Sequence, residues 1–302
     1  MKDATNIDMK LLDAGPSERG WHQFEQANRC MRWWAFNHVS SMPFPMSVPL
    51  VKGSLFHLGL AHHYISPKTD TNGYTYYEPS DAIAAYAIEQ AKSAENAHEA
   101  GLWLEHIEPV QEAVAAYQLY YSSCDWKTLH VEQELRAYIP RVEPDTEPFL
   151  YTQRADLIVE DSGGGVWIVD HKSCYRIDSK TLRQHILSGQ FLGYHILGRQ
   201  KYGRRFRGVI INRMKLSEPY GFHRCPLEPA PQAIQDFVAS LKETEERIQR
   251  YNHLKDPMEY PPVFSEQICY GKYGPCPAFE LCQWGKNDAY TNSTQEVYRD
   301  LA

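Results

Sequence analysis

The sequence predicts an α/β or α+β protein with a helical N-terminal part, and three observations lead to this fold class. Apolar residues recur at helical spacing through most of the first 123 residues, and extended, strand-like segments follow to about residue 173. Helical and extended patterns then alternate up to about residue 252. The remainder, from Pro257 on, is rich in proline and cysteine, so we expect it to be largely irregular.

The elements are predicted in the following order. Helical patterns fall at about 19–36, 51–65, 79–95 and 97–123. Extended segments follow at about 129–140, 149–160 and 165–173. After them come a helix at about 178–198, strands near 205–214 and 218–225, and an amphipathic helix at about 230–252. We predict one domain over 1–302, with a helical part (19–125), a core (126–256), a cysteine-rich segment (257–285) and a tail (286–302).

Composition is that of an ordinary soluble globular protein, with 23% charged and 43% hydrophobic residues. The first ten residues, MKDATNIDMK, lack the apolar stretch of a signal peptide, and no apolar run is long enough to span a membrane. Seven cysteines without an export signal favour a reducing compartment, with metal-bound or free thiols rather than disulfides. We therefore predict a cytoplasmic protein.

The charge is unevenly distributed. The whole chain carries −7, yet the stretch from Arg183 to Lys215 has eight Lys/Arg and no acidic residue. A local basic surface on an acidic body suits a phosphate-bearing partner. A solvated helix end followed by a basic hairpin accounts for the same charges, and charge alone favours that second reading.

A hairpin is predicted around the glycine triplet Gly163–Gly165, which permits the conformations of a tight turn. Positions 156 and 170 lie symmetrically about Gly163, so Asp156 and Asp170 are expected to face each other. Because side chains two apart on a strand share a face, Lys172 is expected beside Asp170. Two facing carboxylates repel unless a proton or a divalent cation lies between them. The pattern thus indicates either a hard-cation site for phosphodiester hydrolysis or a surface salt bridge, in about equal measure.

The next predicted helix carries Gln190 and Tyr194, four residues apart and therefore on one face. Such a pair can hold phosphate oxygens or a base edge. Two amphipathic side chains at a helix boundary are the ordinary alternative, because this spacing by itself is a weak signal.

The order Asp156, then Asp170-x-Lys172, then Gln190-x-x-x-Tyr194 resembles the PD-(D/E)XK nuclease superfamily, specifically its RecB-type exonuclease domains. Upstream, the segment GSLFHLGLAHHY (53–64) is similar to that family's G-x-x-x-H motif, which makes His57 the matching metal-binding histidine. The resemblance covers about residues 20–285. It implies a restriction-endonuclease-like core, a mixed sheet flanked by helices.

The resemblance also implies a set of site residues. His57, Asp156, Asp170 and the backbone carbonyl of His171 would hold Mg²⁺ or Mn²⁺. Asp156, Asp170 and Lys172 would be catalytic, and Gln190 and Tyr194 would bind DNA. Glu132 and Glu134 either lie near this site behind the metal ligands or belong to an exposed strand edge.

Four cysteines form a second candidate site. Cys269, Cys276 and Cys282 lie within fourteen residues near the C-terminus, and Cys30 is near the other end. This set is similar to the iron–sulfur subgroup of the same family, which implies a [4Fe–4S] cluster. Structural zinc is the rival, because thiolates bind either. The aromatic residues Trp33, Trp34 and Phe36 could stack on bases, but core packing beside the cysteines is the favoured interpretation.

The sequence therefore predicts a metal-dependent DNA nuclease, specifically an exonuclease that acts in recombination, repair or end-processing, in a phage or another source. The expected partners are DNA, as single strands or duplex ends, and a recombination protein or a second copy of the chain. One alternative is a non-catalytic protein that binds DNA ends on the same scaffold. Another is an enzyme with the same chemistry that acts on RNA.

Overall fold

The computed structural model describes residue 17 and residues 19–40, 46–65, 78–143, 145–271 and 274–285. The predicted tail, 286–302, lies outside the described residues. The chain forms two compact units. The first comprises Met46–Ile139 and Leu150–Val238 together with residues up to Trp21, and the second comprises His22–Pro45, Pro140–Phe149 and the residues from Ala239 on.

In the N-terminal part, the described residues form six helices, where four helical segments were predicted. These are α1 (Trp21–Arg29), α2 (Met31–His38), α3 (Val48–Tyr64), α4 (Pro79–Ser93), α5 (Ala97–Glu105) and α6 (Ile107–Tyr120). Two predicted helices are each divided in two. Cys30 has extended backbone between α1 and α2. Pro109 follows the break at His106, and its ring cannot be accommodated opposite the carbonyl of residue 105 in a continuous helix.

A five-stranded sheet follows in the order β1-β2-β3-β4-β5. The strands are β1 (Lys127–Ile139), β2 (Phe149–Glu160), β3 (Val166–Ser173), β4 (Phe206–Lys215) and β5 (Gly221–Leu227). β2 and β3 are antiparallel, β3 and β4 are parallel, and β4 and β5 are antiparallel. This mixed sheet, flanked by helices and preceded by a helical part, confirms the predicted fold class.

The β2–β3 hairpin has the predicted register. Leu157 pairs with Val169 and Ile158 with Ile168, so the next positions outward are Asp156 and Asp170. In the turn, Asp161 Oδ1 accepts hydrogen bonds from the backbone N–H groups of Gly163 and Gly165, at 2.9 and 2.8 Å. Gly164 has φ +76°, a conformation that glycine adopts without steric cost. Turn and register together bring the two aspartates to the same end of the hairpin.

The crossover from β3 to β4 contains α7 (Ser179–Ile186) and α8 (Gly189–Tyr202), where one helix was predicted. Gly189 starts α8 against the Trp21 ring, and a Cβ there would collide with it. Gly193 lies against Tyr151 and Gln153 of β2 just as closely. Because glycine lets α8 approach the sheet, the helix face that carries Gln190 and Tyr194 lies over the strands of the aspartates.

The core of the first unit contains two buried apolar clusters. Helices α3, α4, α5 and α6 contribute Leu55, Phe56, Ile83, Trp103 and Val114, all buried. On one face of the sheet, Leu157, Val159, Val169 and Ile210 form a second buried cluster. Burying these side chains supplies the free energy that holds charged groups at the strand ends.

The second unit contains most of helix α9 (Pro231–Tyr251), whose first residues belong to the first unit, and short elements after it. These are α10 (Glu266–Cys269), β6 (Tyr270–Gly271), β7 (Gly274–Pro275) and α11 (Phe279–Trp284). Trp34 and Phe36 are buried here in two apolar clusters, and Trp33 packs beside Phe36, in agreement with a core role. Within the described residues, none of the helices combines the length and apolar character that a bilayer crossing requires.

Candidate active site

Three ligand-type side chains converge at the end of the hairpin. One oxygen or nitrogen atom from each of His57, Glu132 and Asp156 lies within 4.8 Å of the other two. His57 comes from α3, Glu132 from β1 and Asp156 from β2. The Nδ1 atom of His57 is 3.5 Å from Oδ2 of Asp156. Carboxylate and imidazole groups in such a group suit a hard divalent cation.

Glu132 is the residue at this site that the sequence left unresolved. Its φ is +49°, a left-handed conformation that is uncommon for a residue other than glycine and costs free energy. Its backbone carbonyl accepts a hydrogen bond of 3.4 Å from Arg154. By contrast, Glu134 pairs with Arg136, at 2.7 Å between Oε1 and Nη2. Of the two glutamates on β1, only Glu132 therefore joins the His57 and Asp156 group.

Asp170 and Lys172 form a close pair beside this group. The Nζ atom of Lys172 is 2.8 Å from Oδ2 of Asp170, and the carboxylate is fully buried whereas the lysine side chain is 32% exposed. Among the described residues, Asp170 does not belong to the 4.8 Å group. Lys172 therefore lies beside Asp170, whereas Asp170 is not one of the described side chains that converge with Asp156.

Gln190 and Tyr194 of α8 both form hydrogen bonds with Asp170. The Gln190 amide donates a 2.8 Å hydrogen bond to Oδ1 of Asp170. The Tyr194 hydroxyl is buried, 2.6 Å from the backbone carbonyl of Arg154 and 3.2 Å from the same Oδ1. In this structure both side chains therefore face the catalytic candidates, and their predicted contact with DNA stays a prediction.

The side chain of His171 points to the other face of the sheet, as strand alternation requires, while its backbone remains at the site. Its N–H donates a 2.6 Å hydrogen bond to Oδ2 of Asp156. On the far side, the ring Nδ1 is 2.9 Å from the amide nitrogen of Asn212, and the ring stacks on Tyr64. Burial lowers the pKa of His171 well below its ordinary value, so the ring is neutral. The hydrogen bond from His171 to Asp156 is thus made by the backbone and not by the ring.

A half-buried cation, Arg224, supports this His171 environment. The Arg224 guanidinium donates hydrogen bonds to the hydroxyls of Tyr64 and Tyr117, at 2.7 and 3.0 Å. The Tyr117 hydroxyl also accepts a 2.7 Å bond from Asn212. Because the Asn212 amide nitrogen can only donate, the Nδ1 atom of His171 is the acceptor in their hydrogen bond.

Burial and like charge dominate the pKa values of the carboxylates at this site. Burial, aided by the charge of Asp156, raises the pKa of Glu132 to about 9. Burial and the nearby Asp170 charge also raise the pKa of Asp156, although His57 partly offsets the rise. For Lys172, burial acts to lower the pKa, but the Asp170 and Asp156 carboxylates outweigh it and raise the pKa. A bound divalent cation would favour the ionised carboxylates, so these residues fit the metal that the sequence predicts.

The eight basic residues between Arg183 and Lys215 are not gathered on one surface. Arg213 is buried and donates a 2.8 Å hydrogen bond to the carbonyl of Asp178. Arg205 bonds to Glu160, and Lys215 donates to the carbonyls of Glu218 and Pro219. Three of the eight charges therefore serve the fold itself.

In the second unit, the four predicted cysteines line one apolar cavity of about 530 Å³. Cys30 enters from the break between α1 and α2, and Cys269, Cys276 and Cys282 from the C-terminal elements. Arg32 lies 3.9 Å from the Cys282 sulfur and donates to the carbonyls of Met258 and Tyr260. Burial raises the pKa values of Cys276 and Cys282. The remaining cysteines, Cys124, Cys174 and Cys225, belong to the first unit.

Comparison with known proteins agrees with this architecture. The family model of the PD-(D/E)XK nuclease superfamily matches residues 22–283. A solved structure described as "Putative exonuclease" from Eubacterium rectale is similar, with a TM-score of 0.51 and 12% identity over 95% of this chain and 96% of that one. A second, of the protein SSO0001, has 13% identity over 80% of this chain and 98% of that one, and its TM-score of 0.34 is too low to carry an argument. A search of curated proteins found no match.

At 12% identity the first likeness supports the fold alone, whereas the family model spans most of the chain. The family assignment therefore rests on the match to the family model, which spans both the hairpin with its aspartates and the four cysteines. This chain belongs to the PD-(D/E)XK nuclease superfamily.

Proposed function

We propose that this chain is a metal-dependent DNA exonuclease that hydrolyses phosphodiester bonds during recombination, repair or end-processing. The observation that carries the proposal is the convergence of His57, Glu132 and Asp156 beside the Asp170–Lys172 pair. Family membership supports nuclease chemistry in general. The exonuclease mode and the pathway come from the motif order of the RecB-type domains and are the finer part of the proposal.

The metal ligands would be His57, Glu132 and Asp156, with Asp170 and the His171 backbone carbonyl as further candidates. When bound, Mg²⁺ or Mn²⁺ supplies Lewis-acid polarisation of a phosphate oxygen and lowers the pKa of water. The raised pKa values of Glu132 and Asp156 support this assignment, because a crowded carboxylate group is relieved by a cation.

Lys172 would act as a charged hydrogen-bond donor. Its raised pKa keeps the amine protonated at neutral pH, so it does not serve as a base in this state. Because the side chain is partly exposed while Asp170 is buried, the ammonium can reach a phosphate oxygen or orient water from the side facing solvent.

Gln190 and Tyr194 would keep Asp170 in place, and the His171 N–H would do the same for Asp156. Groups that fix the orientation of metal ligands commonly contribute 10–100-fold to activity or metal affinity. A contact of Gln190 with the DNA strand remains compatible with this role, since its side chain is only half-buried.

Cys30, Cys269, Cys276 and Cys282 would hold a [4Fe–4S] cluster. All four cysteines line the same apolar cavity of about 530 Å³, which supports a group that all four thiolates share. Tetrahedral zinc is the alternative, because thiolates bind either.

A cleavage assay tests the proposal. Labelled linear and circular DNA, single- and double-stranded, is incubated with anaerobically purified protein and Mn²⁺, Mg²⁺ or EDTA. We expect release of short products from linear DNA only with a divalent metal, and no cut in circular DNA. DNA binding without cleavage under every condition would instead indicate the non-catalytic end-binding protein, and preferential cleavage of an RNA competitor would indicate an RNA substrate.

A further inference from the structure

Residues 174–188, here called the post-strand segment, follow β3 directly and include all of α7. Tyr175 in this segment is 82% exposed. Tyr175 is three positions after Lys172, so their Cα atoms are at most about 11 Å apart. A large aromatic ring that close to the site is surrounded by solvent, where its π-face is available to another molecule.

The backbone under Tyr175 is firmly held. The N–H of Cys174 donates a 2.8 Å hydrogen bond to the Met214 carbonyl. Arg213 donates another of 2.8 Å to the Asp178 carbonyl. Ile177 packs at Gly221, where an added Cβ would be 3.1 Å from its Cδ1 atom. The exposed ring is therefore presented from a fixed base.

The segment is also basic. Arg176, Lys180 and Arg183 are exposed, and Asp178 is its one acidic residue. The Arg176 guanidinium carbon is 5.7 Å from the centroid of the Tyr175 ring. Surfaces that bind unpaired nucleic acid typically combine exposed aromatic rings with neighbouring arginine and lysine residues.

The C-terminal end of α7 lies close to the active site. His185 contacts the Phe191 ring edge-on, at 5.5 Å between centroids, and the Lys172 ammonium is 6.0 Å from the same ring. The post-strand segment therefore begins and ends beside Lys172. A strand bound along it would reach the Asp170–Lys172 pair without a break.

We propose that the post-strand segment binds an unpaired DNA strand, with Tyr175 stacked on a base within a few nucleotides of the phosphate that is cut. This inference rests on the proposed function and narrows its substrate to single-stranded DNA or unpaired ends. In a duplex each base is stacked on its neighbours, so an outside ring cannot take that place unless the strand is separated. The basic residues on either side of the ring neutralise the phosphates of that strand.

The test uses a single-stranded oligonucleotide that carries the fluorescent base 2-aminopurine, and the corresponding duplex, with the full chain in Ca²⁺. We expect wild-type protein to quench the probe in the single strand, and Tyr175→Ala to lose the quenching and about tenfold in single-strand affinity. Tyr175→Trp should keep both. Tyr138→Ala removes another exposed tyrosine, on β1, and should change neither.

Equal loss of single-strand and duplex affinity in Tyr175→Ala, or no loss at all, would overturn the inference. If Tyr175→Ala loses no DNA affinity, the exposed ring would instead be assigned to contact with a protein partner. Cleavage by the wild type is measured on the same oligonucleotide with Mn²⁺. Quenching that depends on Tyr175, without cleavage, would contradict the proposed nuclease function and support this binding surface. Cleavage without Tyr175-dependent binding would support the nuclease function and contradict the binding surface.

Discussion

Gln190 donates a 2.8 Å hydrogen bond to Oδ1 of Asp170, on the side of the carboxylate opposite the Lys172 ammonium. The bond ties α8 to strand β3 of the hairpin. Because it fixes the carboxylate, we expect Gln190→Ala to lower kcat about 10–100-fold with little change in KM. Steady-state kinetics on single-stranded DNA measure both constants.

Gln235→Ala, at an exposed glutamine of α9 outside the post-strand segment, serves as the control. If Gln190 contacts the strand instead, its removal would raise KM and leave kcat near the wild-type value, and the positioning role would be wrong.

Lys172 is expected to be essential for cleavage and dispensable for binding. Lys172→Ala and Asp170→Ala should each abolish measurable cleavage while the fold and the DNA affinity stay largely intact, since the lost groups act on the reacting phosphate. Circular dichroism, DNA binding and cleavage are measured on the same preparations. Lys92→Ala removes an exposed charge at the end of α4 and should behave as wild type. Full activity in Lys172→Ala would refute the assigned role.

Glu132 should make metal binding depend on pH. Its pKa of about 9 in the folded protein exceeds the ordinary value of 4.5, so the folded state holds this proton more tightly than the unfolded chain. Stability of the metal-free protein should therefore fall as pH rises from 4.5 to 9. Metal affinity should rise over the same window, because the cation replaces the proton.

Thermal unfolding at pH 6 and pH 8.5, with and without Mg²⁺, checks both effects. Glu132→Gln should weaken the pH dependence and reduce the rise in Tm that Mg²⁺ produces. Glu134→Gln, on the same strand and paired with Arg136, should leave both unchanged. An identical Mg²⁺ response in Glu132→Gln and wild type would exclude Glu132 as a ligand.

The cysteine site should give a visible spectrum. Protein purified without oxygen is expected to be brown, with a broad absorption shoulder in the visible range, and Cys282→Ser should lose the colour. Cys124→Ser is the control, because Cys124 is exposed and belongs to the first unit. A colourless protein that contains one zinc ion per chain would support the structural zinc site.

Much of the site was predictable because the positions of its side chains follow from their alternation along the strands. Strand alternation and the symmetric turn alone put Asp156 opposite Asp170 and Lys172 beside it, and Leu157↔Val169 pairing agrees with this register. Helical spacing put Gln190 and Tyr194 on one face, but it could not show that the face covers Asp170. That depends on the close approach of α8 at Gly193.

Other features depend on contacts that no local pattern encodes. Glu132 has φ +49°, so strand alternation does not predict which way its side chain points. His57 was found through the motif resemblance and not from its own surroundings. Arg224 and His171, at the two ends of the hydrogen-bond network, are more than fifty positions apart in the chain. Only the packed sheet brings them together.

Diffraction from crystals grown with Mn²⁺ tests the central claim most directly, because anomalous scattering locates the ion itself. We expect one strong peak bounded by His57, Glu132 and Asp156, next to the Asp170–Lys172 pair. An anomalous map without a peak at that position, from crystals of protein that cleaves DNA with Mn²⁺, would contradict the account.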